Sequence, residues 1–110
     1  ILWLFGSPQI RNAGTLAGNI ANASPIADSP PFLMVMDAVI EVCSEKGSRQ
    51  VKINDFYKGY KQFDLRKDEI ITAVAIPLPQ KDELIKLYKI SRRKHLDIST
   101  NTAAFRLRLN

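Results

Sequence analysis

Hydrophobic and polar residues alternate along several parts of this chain, and the alternation predicts strands. Residues 38–43 (AVIEVC) read as one strand, Ser-Glu-Lys-Gly-Ser as a turn, and Arg49 to Ile53 as a second strand, which together predict a hairpin. A third strand is expected over Ile70 to Ile76, stopped by Pro77 and Pro79, and a fourth from Leu84 to Ser91. The last segment, Thr102 to Leu109, alternates cleanly. Ala103, Phe105, Leu107 and Leu109 fall on one face, with Ala104, Arg106 and Arg108 on the other. Short helices are expected from Ser29 as N-cap through Pro30, Pro31 and Phe-Leu-Met-Val-Met-Asp-Ala, and from Asn54 as cap of Asp-Phe-Tyr-Lys-Gly-Tyr. Hairpin-like spacing with a few short helices predicts an α+β fold with an antiparallel or mixed sheet.

Between the opening Ile-Leu-Trp-Leu-Phe and the first of these helices the pattern breaks down. Asn12 to Pro31 is a run of small, neutral, hydroxyl-, amide- and glycine-containing residues with one charge, Asp28. Such a run buries little apolar surface and is longer than most structureless loops in compact domains, which points to a ligand loop rather than a passive connection. Gly14 and Gly18 permit positive φ and close backbone approach. Thr15, Asn19, Asn22 and Ser24 supply donors and acceptors, and Leu16, Ile20 and Ile26 can pin the loop to a core. A surface loop rich in turn-forming residues would have a similar composition.

The 110 residues make one small domain or a piece of one, and 45% hydrophobic content suffices for a modest core. No apolar run reaches the ~18 residues of a membrane span, and the opening residues lack the features of a signal peptide, so a soluble, cytoplasmic protein is the default expectation. Cys43 is alone, which excludes an internal disulfide and an all-cysteine iron–sulfur site within the chain; its neighbours make it a buried small hydrophobe. His95 is the only histidine, and no second ligand stands at metal-binding spacing, so neither a metal site nor a catalytic triad is expected. Trp3, Tyr57, Tyr60 and Tyr88 read as core or interface aromatics.

The net charge of +5 is unevenly placed. Residues 1–80 hold eight Lys/Arg and eight Asp/Glu, whereas residues 81–110 hold eight and three, so the final 30 residues carry the whole excess. A basic edge suits an anionic ligand or partner. It lacks the basic–aromatic interleaving of an RNA-binding sheet and any DNA-binding motif, and nucleic acid is not the expected partner.

Three blocks carry a resemblance. Ile10-Arg11-Asn12, Thr15-Leu16-Ala17-Gly18-Asn19 and Ser24-Pro25-Ile26-Ala27-Asp28 match, at the right separations, the pattern Ile/Val-Arg-Asn, Thr/Ser-Leu/Ile-Gly-Gly-Asn and Ser-Pro-Ile-x-Asp. The chain thereby resembles the FAD-binding domain of molybdenum hydroxylases, the xanthine dehydrogenase and carbon monoxide dehydrogenase flavoprotein family. The segment Tyr88 to Ser99 is similar to that family's Lys-x-Ser-x-Arg-x-x-x-Asp-Ile element, with Lys89, Arg93, Asp97 and Ile98 in place. Ala17 departs from the family's usual glycine, where a left-handed backbone would cost on the order of 1 kcal/mol or more.

The resemblance implies the second subdomain of a PCMH-type FAD-binding fold, residues 1–78, followed by the first strands of a flavoprotein C-terminal domain, residues 79–110. It implies that another FAD-binding subdomain, with its own glycine-rich loop, precedes Ile1. Thr15, Gly18, Asn19 and Asn22 would surround the pyrophosphate and ribityl chain, Asp28 and Ile71 would lie at the flavin end, and Lys89 would lie close to FAD. Asp28 can also cap the helix that follows. The implied parent passes electrons from a molybdopterin centre through 2Fe-2S clusters to FAD and on to NAD or oxygen, with the iron–sulfur and molybdopterin domains as partners. None of that metal chemistry resides in this chain, which would be inactive alone. Its form is nearest to xanthine dehydrogenase small subunits, and hence to purine catabolism. Strand edges left open in such a piece would favour a homo-oligomer. The alternative is a non-enzymatic basic module binding nucleic acid or an acidic protein through Lys86, Lys89, Arg92, Arg93, Lys94, Arg106 and Arg108.

Overall fold

The computed structural model describes residues 2–94 and 96–109; His95 lies outside the described residues. Its centre is strand β1 (Val39–Ser44), in which Ile40 and Val42 are fully buried. β-Branched residues at alternate positions suit a half-buried pleat. A two-residue turn, Glu45-Lys46, returns the chain into β2 (Gly47–Lys52), paired antiparallel from Ser44↔Gly47 to Val39↔Lys52. On the other side of β1 runs β5 (Ile70–Ala75), also antiparallel, giving the order β2-β1-β5. Thr72 is an extra residue in that pairing, because Glu41 faces Ala73 while Val42 faces Ile71. Such a bulge bends the strand that carries Ile71.

Short helices cover this sheet. They are α1 (Pro8–Ala13), α2 (Leu16–Ala21), α3 (Pro30–Val35) and α4 (Ile53–Phe56), preceded by a 3₁₀ turn, Leu2–Leu4. Isolated helices of four to six residues are unstable in water; a side-chain cap starts α1 and α2, and packing into the core holds α2, α3 and α4. Ile20 of α2, Leu33 of α3, and Ile53 and Phe56 of α4 join Ala38, Ile40, Val42 and Val51 in one core. Phe56 stacks on Phe63 at 5.6 Å and meets Tyr57 edge-on at 5.1 Å.

Two local expectations are corrected. Asn54 lies inside α4, where its amide donates to Met34 O at 3.4 Å and Asp37 Oδ1 at 3.3 Å instead of capping the helix. The residues that follow form a small hairpin, β3 (Tyr57–Gly59) with β4 (Gln62–Phe63), rather than a longer helix. Ser29 does precede α3, but its hydroxyl makes no cap. Its backbone is helical (φ −81°, ψ −35°) rather than extended as at Ser7 and Thr15, so the hydroxyl is not aimed at the Phe32 N–H, and it donates instead to Asn19 Oδ1.

After an extended passage through Pro77 and Pro79, β6 (Glu83–Ile90) and β7 (Asn101–Arg108) form a separate antiparallel ribbon, paired from Glu83↔Arg108 to Ile90↔Asn101. The predicted alternation is present, but in β7 the face that turns inward is the one bearing Arg106, opposite Ile85 and Leu87 of β6. Arg106 packs against α3, with its guanidinium on Glu83 Oε1 at 2.9 Å, Asp37 Oδ2 at 3.2 Å and Val35 O at 3.4 Å. Those partners, supplied by the end of α3 and by β6, satisfy a part-buried cation. Leu84, Tyr88, Ile90, Phe105 and Leu107 consequently face outward. All strand pairs among the described residues are antiparallel. None of the described helices is long and apolar enough to cross a membrane.

Candidate functional site

The small-residue run is not a structureless loop, because a cap turns part of it into helix. Thr15 Oγ1 accepts from Gly18 N at 2.9 Å and starts α2. A Cβ on residue 18 would meet that hydroxyl oxygen at 3.0 Å, so the glycine permits the close approach and is not there for a positive φ. Ala17 sits inside α2 and is absent from the left-handed non-glycine residues Ala23, Asp37, Lys61 and Leu96. The departure from the family's glycine therefore introduces no strain there. Asn22 ends α2, and its carbonyl accepts from Lys61 Nζ at 3.0 Å.

Asp28 is buried beneath the ribbon, where its two oxygens have different partners. Oδ2 accepts from Lys89 Nζ at 2.7 Å; Oδ1 accepts from Thr102 Oγ1 at 2.7 Å and from Ser99 Oγ. Lys89 Nζ donates also to Leu4 O at 3.0 Å. The side chains of Asp28 and Lys89 are 8% and 5% exposed, so this ion pair is largely desolvated. Burial pushes the Asp28 carboxyl up. The hydrogen bonds from Lys89, Ser99 and Thr102, with the positive charge of Lys89, outweigh it and hold the group below the usual carboxylate range. Asp28 is thus anionic and fully partnered near neutrality.

Beside this pair opens a cavity of about 520 Å³, within the usual range for small-molecule sites. Leu16 and Asn19 come from α2, Phe32 and Leu33 from α3, Leu87 from β6 and Ile76 from just after β5. Trp3 and Phe5 contribute aromatic rings, and Asn19, Asp28 and Ser29 give the wall its few polar groups. An apolar slot with aromatic sides and a small polar edge suits a flat heteroaromatic ring.

Of the residues expected at the site, Asn19 and Asp28 line this cavity, and Lys89 reaches it through Asp28. Thr15, Gly18 and Asn22 are exposed on or beside α2, outside the cavity wall. Ile71 is half-buried against the core, also away from the wall. Arg93 and Asp97 pair with one another at 3.2 Å in the turn after β6. Sequence reasoning missed Ser99 and Thr102 as partners of Asp28, and Phe5 as a cavity residue. The polar cluster Ser99-Thr100-Asn101-Thr102, with three hydroxyls, behind the Asp97-Ile98 motif was the one available signal. No group of three or more potential metal ligands occurs among the described residues.

Half of the basic edge is neutralised. Lys89, Arg93, Arg106 and Arg108 each pair with a carboxylate, leaving Lys81, Lys86, Arg92 and Lys94 without one among the described residues.

Comparison with known proteins gives concordant matches. A family profile described as "FAD binding domain in molybdopterin dehydrogenase" matches residues 1–79. The chain is 41% identical over 107 residues to nicotinate hydroxylase hnxS of Emericella nidulans, covering 96% of this chain and 8% of that protein. It is 43% identical over 108 residues to xanthine dehydrogenase of Blastobotrys adeninivorans, covering 96% and 8%. To the nicotinate dehydrogenase FAD-subunit of Eubacterium barkeri it is 40% identical over 97 residues, covering 86% and 33%. Among solved structures, reconstituted CO dehydrogenase from Oligotropha carboxidovorans superposes with a TM-score of 0.91 at 32% identity, covering 98% of this chain and 37% of that one. The chain thus spans a third or less of the length of these curated relatives.

Proposed function

The chain belongs to the FAD-binding domains of molybdopterin dehydrogenases, and from that premise we propose that it holds the flavin end of FAD in the cavity beside the Asp28–Lys89 pair. The observation that carries this reading is that buried pair itself, which joins the Ser24–Asp28 motif to the Lys89 motif at the polar edge of an aromatic-walled slot. The cavity's chemistry fits the cofactor: Trp3 and Phe5 offer ring faces, and Asn19, Ser29 and the Asp28 cluster offer polar atoms at one edge. Thr15, Gly18 and Asn22, on the exposed side of α2, are assigned to the pyrophosphate and ribityl portion, and Ile71 to the flavin surroundings. When bound, FAD supplies the ability to accept electrons singly and release them as a pair.

This chain's own residues bind and orient. Asp28, held anionic by Lys89, Ser99 and Thr102, fixes the charge at the slot's edge, while Leu16, Phe32, Leu33 and Leu87 exclude water from it. The proposed division places residues 1–78 in the FAD-binding domain and 79–110 at the start of the next; the profile match to residue 79 and the separate β6–β7 ribbon support it. The proposed parent is a cytoplasmic, xanthine dehydrogenase-like oxidoreductase that relays electrons from 2Fe-2S and molybdopterin domains through FAD to NAD or oxygen. The substrate would be chosen by another domain.

The test is titration of FAD into the full-length protein that contains this chain, following flavin fluorescence. Saturable binding that weakens with Asp28→Asn or Lys89→Met supports the reading. Failure to bind FAD, together with salt-sensitive binding of nucleic acid, would replace it with the basic-module alternative.

A further inference from the structure

Three consecutive backbone carbonyls near the start of the chain are held by cations. Lys89 Nζ donates to Leu4 O at 3.0 Å, and Arg11 Nη1 donates to Phe5 O at 2.8 Å and to Gly6 O at 3.1 Å. The segment follows the 3₁₀ turn Leu2–Leu4 and turns sharply into α1, whose Ser7 cap accepts from Ile10 N at 3.2 Å. Gly6 stands at φ +50°, and a Cβ there would meet Ile10 Cγ2 at 3.0 Å. Trp3 is 87% exposed, so its own packing cannot fix the segment that presents it.

Arg11 makes no ion pair among the described salt bridges; its contacts are backbone oxygens. It belongs to the Ile10-Arg11-Asn12 block, to which the cofactor reading assigns no task. We infer that Arg11 is a positioning residue for the aromatic side of the cavity. Anchored on α1, it grips the two peptide groups that flank Gly6 and so sets where the Phe5 ring stands in the cavity. Lys89 performs the matching task at Leu4, which couples the aromatic wall to the Asp28 cluster. A guanidinium nitrogen has two N–H groups for two carbonyls; a lysine at position 11 retains donors on a shorter reach, and a methionine has none. The inference rests on the flavin reading only for its ligand, because the grip on the turn is a property of the chain alone.

The test uses the full-length protein with Arg11→Met, Arg11→Lys, Phe5→Leu and the Arg11→Met/Phe5→Leu double variant. In the flavin-free protein, Arg11→Met is expected to raise hydrogen exchange across residues 3–14 while β1 and β2 keep their protection, since local opening is independent of global unfolding. In titrations, Arg11→Met should weaken FAD binding about three- to tenfold, with Arg11→Lys recovering part of it. The double variant should be no weaker than Phe5→Leu, because residues acting through one contact are not additive. Exchange rising equally in β1 and β2, or losses that multiply in the double variant, would overturn the inference and make Arg11 a general stabiliser. If the unmodified protein takes up no FAD, the flavin reading fails, and the exchange pattern still decides the role of Arg11.

Discussion

Lys89, on the inner face of the β6–β7 ribbon, meets Asp28 at 2.7 Å across 61 residues of sequence, with both side chains nearly inaccessible to solvent. A desolvated pair of this kind is expensive to break from one side, since the remaining charge stays buried without its counter-ion.

Lys89→Met should therefore destabilise the fold by about 3–5 kcal/mol at neutral pH. Asp28→Asn/Lys89→Met should recover part of that loss by leaving no lone charge. The folded-state pKa of Asp28 is depressed, so the pair's contribution is present above the ordinary value of 3.8 and is lost as pH falls through the folded value. Denaturant titrations at pH 7 and near pH 3 should show the gap between unmodified protein and Lys89→Met narrowing with acid.

Thr102→Val and Ser99→Ala each delete a hydroxyl donor to Asp28 Oδ1. Each should cost about 1.5–3 kcal/mol, the range for a hydrogen bond to a charged group. Each should also raise the Asp28 carboxyl pKa, which carbon-detected NMR titration of that side chain would register. An unchanged titration would mean that Lys89 alone keeps the group ionised.

A second carboxylate sets a different acid limit. Glu69 accepts from Arg49 at 2.8 Å through both oxygens and from the Arg66 amide at 2.8 Å. These bonds, Arg49 first, lower its pKa from 4.5 to about 2. Its contribution is complete above pH 4.5 and disappears as pH falls toward 2. Glu69→Gln should be less stable at pH 6 and should lose less of its stability than the unmodified protein across that window. Urea midpoints measured pH by pH would show this.

In the core, Phe56→Ala removes a fully buried ring that touches both Tyr57 and Phe63. The expected loss is about 3–5 kcal/mol, in thermal and denaturant unfolding alike. The same substitution at the exposed Phe105 should cost far less, since half of that side chain is already in solvent.

The β1–β2 hairpin was legible because alternation and a turn sequence are local signals, and β1 and β2 carry both. The ribbon's alternation was legible too, but its direction was not. Arg106 faces inward only because Asp37, Val35 O and Glu83 await it there, and none of the three belongs to its own strand. The small-residue run stood out by composition, whereas α2 inside it and α1 at its start did not. Each is only six residues long, too short for an apolar stripe to show, and Ser7 and Thr15 define them by capping. Asp28 and Lys89 were each found by motif, yet nothing in the sequence paired them. Ser99 and Thr102 looked like ordinary turn and strand hydroxyls until the ribbon placed them over Asp28.

The partners of Asp28 lie 61, 71 and 74 residues downstream of it. During synthesis the loop leaves the ribosome long before they do, and Asp28 spends that interval as a solvated carboxylate. Contacts so distant in sequence are slow to form, because the intervening chain must close first. Once Lys89 has closed it, Ser99 and Thr102 arrive on the same ribbon and need only short additional closures. The order of assembly is thus written into the connectivity: the β1–β2 hairpin can form from neighbours, whereas the polar edge of the cavity beside Asp28 is completed only when β7 has been made.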